Sequence, residues 1–170
     1  KQKACWHPVA YSKEVLAKKP FGTFLLDQAV VIWRDSANEV HAMRDLCIHR
    51  GTALSLGWIK DDCLVCPYHA WEYDKKGACV FIPQAPTAKI PAKAKTPTYH
   101  CMEKYGLIWV ALEDPVYPLP EIPEIESSDW KVKLGEVCIA NVIDSGMVYP
   151  QFKSVKDKEI AQCDINFSYK

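Results

Sequence analysis

The sequence predicts an antiparallel β sandwich or small β barrel. Three observations carry that expectation. Short runs rich in β-branched and aromatic residues recur along the first two thirds of the chain, glycines and charged pairs separate them, and no long amphipathic helix intervenes. FGTFLLDQAVVIWRD holds two strands with Asp27 and Gln28 at the turn. Further strands are expected in EVHAMRD, CLVCP, WEYD, ACVFIP, YHCMEKY and GLIWVALED, with Gly57, Asp61–Asp62 and Lys75–Lys76–Gly77 as punctuation. YSKEVLAKK reads as one helix of about two turns with Ser12 as its N-cap. DPVYPLPEIP carries four prolines, which disfavours helix and central strand and marks a boundary. Two domains follow, residues 1–115 and 116–170.

Charge narrows the function classes. Lys and Arg number 21 and so do Asp and Glu, which gives no general electrostatic reason to bind nucleic acid or an anionic membrane. No apolar run approaches the ~18 residues that span a bilayer, and KQKACWHPVAYSKE lacks the apolar centre of a secretory signal. A cytoplasmic protein is the simplest expectation.

Chemistry concentrates in CIHRG and CPYHAW, where Cys47, His49, Cys66 and His69 pair one thiol with one imidazole in each motif. That is the donor set of a Rieske [2Fe–2S] cluster, in which two cysteines hold one iron and two histidines the other. A structural zinc site also takes two Cys and two His, but zinc modules usually pair Cys with Cys before a His pair. Four unliganded core residues is the remaining alternative. The other cysteines, Cys5, Cys63, Cys79, Cys101, Cys138 and Cys163, lie in apolar or strand-like contexts and read as small hydrophobes. Cys63 with Cys66 spells CxxC, yet no thioredoxin-like βαβ pattern surrounds it.

Around these ligands the chain resembles the Rieske non-haem iron oxygenases, the aromatic-ring hydroxylases and N- or O-demethylases. The resemblance runs through CWHPVAYSKE, HAMRDLCIHRGTALSLGWI, LVCPYHAWEYDKKGACVFIPQAP and YHCMEKYGLIWVALEDP. It implies an all-β Rieske domain followed by part of an α+β catalytic domain, electron supply from a ferredoxin or flavin reductase, O2 and a small (hetero)aromatic substrate, and a trimeric assembly. Respiratory Rieske proteins are matched less well, because Tyr68 stands where their second loop carries an extra cysteine and Ala70 and Trp71 replace their hydroxyl donors. Fewer donors to sulfur imply a potential toward the low end of the Rieske range, roughly −150 to +300 mV. A stand-alone Rieske ferredoxin is the alternative function, needing only about the first 115 residues.

The resemblance thins after the proline-rich boundary. The family pattern for the mononuclear Fe(II) site places histidines after an Asn and an Asp; this chain offers Asn141 and Asp144 in step, with Met147 and Phe152 at the histidine positions. No histidine follows His100. A facial triad needs imidazoles that Met and Phe cannot replace, so a fragment or incomplete oxygenase chain is the favoured expectation, with a protein that has lost oxygen chemistry as the alternative. By resemblance, Asp144 bridges a cluster histidine to a neighbouring iron site; a turn aspartate is the plain alternative. Arg50, Tyr68 and Trp71 are candidates to surround the cluster, against ordinary surface or core roles. His7, His41 and His100 read as surface or satisfied core residues. Lys75, Lys76, Lys89, Lys93 and Lys95 form a possible docking face or a solvated one. Histidine ligation predicts that reduction becomes harder as pH rises.

Overall fold

The computed structural model describes residues 1–126 together with 130–134, 152–156 and 159–163. The chain divides into two compact units, residues 1–118 and 119–170. Ten strands build the first: β1 (His7–Tyr11), β2 (Phe21–Leu25), β3 (Gln28–Arg34), β4 (Val40–Arg44), β5 (Trp58–Lys60), β6 (Cys63–Val65), β7 (Glu72–Tyr73), β8 (Cys79–Phe81), β9 (Thr98–Lys104) and β10 (Leu107–Ala111). Six form an antiparallel sheet in the order β1-β10-β9-β4-β3-β2, and β5-β6-β7-β8 form a second sheet. The larger sheet curls until its edge strands β1 and β2 approach, giving a nearly closed barrel. The antiparallel β expectation holds for this unit.

Period-two side-chain alternation splits the apolar residues into two cores. Val30 and Ile32 of β3 face the barrel interior with Val9, Val15, Leu25, Ile108 and Val110. Val31 and Trp33 face the other way, packing with Met43, Leu54, Leu64, Tyr73 and both motif cysteines, Cys47 and Cys66. This is why β3 reads as the continuous apolar run VVIW: it is covered on both faces. The second core joins the barrel wall to the sheet whose loops carry the two motifs.

That smaller sheet is a single excursion from the larger one. β4 pairs directly with β9, Ala42 opposite Tyr99 and Met43 opposite Thr98, so residues 45–97 leave and return at adjacent points. Three two-residue turns shape the hairpins, at Leu26–Asp27, Asp61–Asp62 and Tyr105–Gly106, each with both φ angles positive as a type I′ turn requires. The first corrects the expected Asp27–Gln28 turn. Gln28 already belongs to β3, pairing with Leu25, because the apolar alternation fixes that register.

The expected helix in YSKEVLAKK is also corrected. Only Ser12–Glu14 forms a single 3-10 turn, and its N-cap is Tyr11 rather than Ser12. The carbonyls that would propagate a helix are taken elsewhere. Arg34, buried at the end of β3, donates Nη2 to Ser12 O at 3.2 Å and Nε to Val15 O at 2.8 Å. Its remaining donors reach Asn38 O at 3.1 Å and both oxygens of Glu103 at 2.6 and 3.0 Å, so all five guanidinium N–H groups are engaged.

In the second unit, α1 (Pro123–Glu126) precedes an antiparallel sheet ordered β11-β12-β13, with β11 at Trp130–Leu134, β12 at Phe152–Lys156 and β13 at Glu159–Cys163. Asn141, Asp144 and Met147 lie outside the described residues, as does Cys138. Among the described residues no helix is long and apolar enough to cross a membrane.

Candidate metal centre

Two loops at the tip of the smaller sheet carry the four candidate ligands, and both close in the same way. In the first, Gly51 N–H donates to Cys47 O at 2.8 Å and Cys47 N–H to Thr52 O at 2.8 Å. In the second, Ala70 N–H donates to Cys66 O at 3.0 Å and Cys66 N–H to Trp71 O at 2.9 Å. The fifth residue of each ring is left-handed, Gly51 at φ +74° and Ala70 at φ +55°. Glycine adopts that conformation freely, whereas alanine does so at a cost of about 1–2 kcal/mol. Motif spacings that differ, CxH and CxxH, therefore rest on one backbone scaffold.

Both sulfurs point inward and both imidazoles outward. Cys47 and Cys66 are 2% and 1% exposed. Their thiols lie within hydrogen-bonding reach of one another. His49 and His69 are half-buried, with ring centroids 4.7 Å apart. Burial pushes the Cys66 thiol up, an effect opposed by backbone N–H groups of Tyr68 and His69 that point at the sulfur. Burial first, then the neighbouring His69 and Arg50, holds the His49 imidazole below its ordinary value, which favours the neutral ring a metal ligand needs. His49 Nδ1 is buried without a hydrogen-bond partner in the described structure.

Trp71 stacks on His49 with ring centroids 4.4 Å apart and planes 3° from parallel. Tyr68 stacks on His69 at 3.8 Å and 27°. The two aromatic candidates thus cover the imidazoles, although Tyr68 is itself 63% exposed. Arg50 is exposed beside His49. His7 lies in the core with Nε2 at 2.9 Å from Gln2 O, while His41 and His100 meet Asp35 and Asp114 at 2.9 Å. The five candidate lysines are exposed. Cys63 and Cys66 are not brought together as a redox pair, because three positions along an extended strand put side chains on opposite faces. Cys66 sits with Leu64 in the core; Cys63 is a free thiol on the other side.

Sequence reasoning missed two residues here. The Tyr73 hydroxyl lies 3.1 Å from Cys47 Sγ, fully buried, with the Ile48 backbone also bonded to it. Burial, then the Cys47 thiol, pushes this phenol far above the usual range, so it stays protonated. A signal did exist: Tyr73 is the inward residue of the strand leaving the second loop. Gln84 donates Nε2 to His69 O at 2.9 Å, and nothing in its local sequence marks that role.

The family model for the Rieske [2Fe–2S] domain matches residues 5–100. The chain belongs to the Rieske non-haem iron oxygenases. Among curated relatives of this oxygenase family, methylxanthine N1-demethylase NdmA of Pseudomonas putida is 40% identical over 129 residues, covering 73% of this chain and 36% of that protein. Aminopyrrolnitrin oxygenase PrnD of Pseudomonas fluorescens is 37% identical over 131 residues, covering 74% and 36%. The solved structure of Pseudomonas putida CBB5 NdmA superposes with a TM-score of 0.75 at 28% identity, covering 97% of this chain and 62% of that one. The chain spans little more than a third of the length of these curated relatives. Two sheltered thiols, two adjacent imidazoles and an open Nδ1 fit a Rieske cluster.

Proposed function

We propose that this chain is the Rieske component of an oxygenase, with Cys47 and Cys66 holding one iron and His49 and His69 the other. The observation that carries this reading is the pair of identically closed loops that presents two thiols and two imidazoles at one tip. When bound, the [2Fe–2S] group supplies a one-electron couple. The buried cysteines and the second core keep water from the sulfur side. His49 and His69, at the outer edge, mark where a ferredoxin or flavin reductase would dock. Arg50 adds positive charge at that edge.

Hydroxylation or demethylation of a small (hetero)aromatic compound with O2 is the activity we infer from the family. The mononuclear iron that such chemistry uses does not fit this chain. Met147 and Phe152 stand at the expected histidine positions and no histidine follows His100. We assign residues 1–115 to the Rieske domain and 116–170 to a portion of the catalytic domain, within a trimeric assembly. Asp144 is proposed as the electron bridge. In a complete oxygenase, undiminished turnover of the Asp144→Asn variant with an intact cluster would remove it from the path.

Iron and acid-labile sulfide analysis after anaerobic reconstitution tests the ligand set, together with the rhombic electron paramagnetic resonance signal of the reduced protein. Two irons and two sulfides per chain are expected. His49→Ala and Cys66→Ser should lose the signal, and His41→Ala and Cys63→Ser should keep it. Zinc without sulfide would refute the reading.

A further inference from the structure

We propose that Gln84 is a positioning residue that holds the second ligand loop in its left-handed turn and so fixes the imidazole of His69. The inference rests on the ligand assignment above. The geometry begins in sequence: Ile82, Pro83, Gln84 and Ala85 form a turn closed by Ala85 N–H to Ile82 O at 3.0 Å. Pro83 at its second position pre-sets the backbone, and Ile82 packs against the second core. The turn is thereby anchored beneath the loop, and Gln84 reaches out from it to the His69 carbonyl at 2.9 Å.

What that bond restrains follows from the peptide it touches. The His69 carbonyl and the Ala70 N–H belong to one rigid plane, so rotation about φ of Ala70 swings both. Ala70 N–H is already tied to Cys66 O at 3.0 Å. Gln84 ties the other end. With both ends held, Ala70 keeps φ +55° against the preference of an L-residue to leave it. The first loop has no such clamp on the carbonyl preceding Gly51 among the bonds described, and glycine at φ +74° has no comparable strain to hold. Gln84 supplies from a side chain what Gly51 supplies by lacking one.

The test uses the full-length holoprotein and four variants: Gln84→Ala, Gln84→Glu, Ala70→Gly and the Gln84→Ala/Ala70→Gly double. Two readouts are followed at one neutral pH, the first-order bleaching of the cluster absorption in excess ferrozine and the line width of the reduced rhombic signal. Gln84→Ala should bleach about fivefold faster than wild type, the factor one net hydrogen bond of ordinary strength contributes, and should broaden the signal. Gln84→Glu keeps the shape without the donor and should behave no better than Gln84→Ala. In the Ala70→Gly background the same Gln84→Ala change should cost less than about twofold, because glycine removes the strain that the bond opposes. Wild-type bleaching and line width in both Gln84 variants would overturn the proposal, as would an equal effect in the two backgrounds. A wild-type protein without the rhombic signal would overturn the ligand assignment itself, an outcome distinct from either.

Discussion

Removing the Tyr73 hydroxyl should lower the reduction potential of the centre by about 40 mV. Tyr73 is fully buried, and its oxygen lies 3.1 Å from Cys47 Sγ. In a free thiol either atom can donate, but a metal-bound thiolate leaves the hydroxyl as the donor. A hydrogen bond to a charged group contributes about 1.5–3 kcal/mol, and it strengthens as the site gains an electron. If roughly half of that appears as a difference between redox states, the effect is about 1 kcal/mol, or about 40 mV at 59 mV per tenfold for one electron. Phe fills the same ring volume, so packing around Leu64 and Cys79 is preserved. The assay is a dye-mediated titration of Tyr73→Phe followed by circular dichroism, with iron content measured beforehand. An unchanged or raised potential in a variant with full iron content would refute the argument.

Replacing Arg34 by Met strands Glu103 and the carbonyls of Ser12, Val15 and Asn38; with Glu103 37% exposed, a loss of about 3 kcal/mol and a fall in Tm on the order of 10 °C are expected by calorimetry. Gly57→Ala places a Cβ 1.9 Å from Val65 O, a backbone atom that cannot give way, so the β5–β6 hairpin should lose about 3 kcal/mol in urea unfolding. His7 titrates below its ordinary value because of burial, so the unfolded chain binds the proton more readily. Its contribution is complete above about pH 6.5 and is lost as pH falls toward the lowered native value. Urea midpoints of His7→Gln should therefore decline less between pH 7 and 5 than those of wild type, and parallel declines would contradict the assignment.

That Cys47, His49, Cys66 and His69 gather at one place was legible because thiol and imidazole are rare side chains and short spacings survive any backbone path. Strand content was legible for a similar reason: VVIW and LIWVA cannot be exposed on either face. The helix at Tyr11–Lys19 was misread because a guanidinium more than a dozen residues away captures its carbonyls, and local propensity carries no trace of that competition. The turn at Leu26–Asp27 was displaced by one residue because strand register, set by burial, overrode the usual reluctance of leucine to take positive φ. Likewise, Tyr73 and Gln84 reach Cys47 and His69 through contacts distant in sequence. The shared ring closure of the two loops was hidden by their unequal ligand spacing, although Gly51 and Ala70 occupy matching places four residues after each cysteine.

The excursion between β4 and β9 makes the state of the metal loops everyone's concern within this unit. Val31, Trp33 and Met43 on the outer wall of the barrel are each 0% exposed, and what shields them is the segment that carries the candidate ligands. Should that segment slacken before it is filled, three bulky greasy side chains face solvent at once, inviting self-association. Unfilled copies would then be the sticky ones, and the barrel wall would be where they meet.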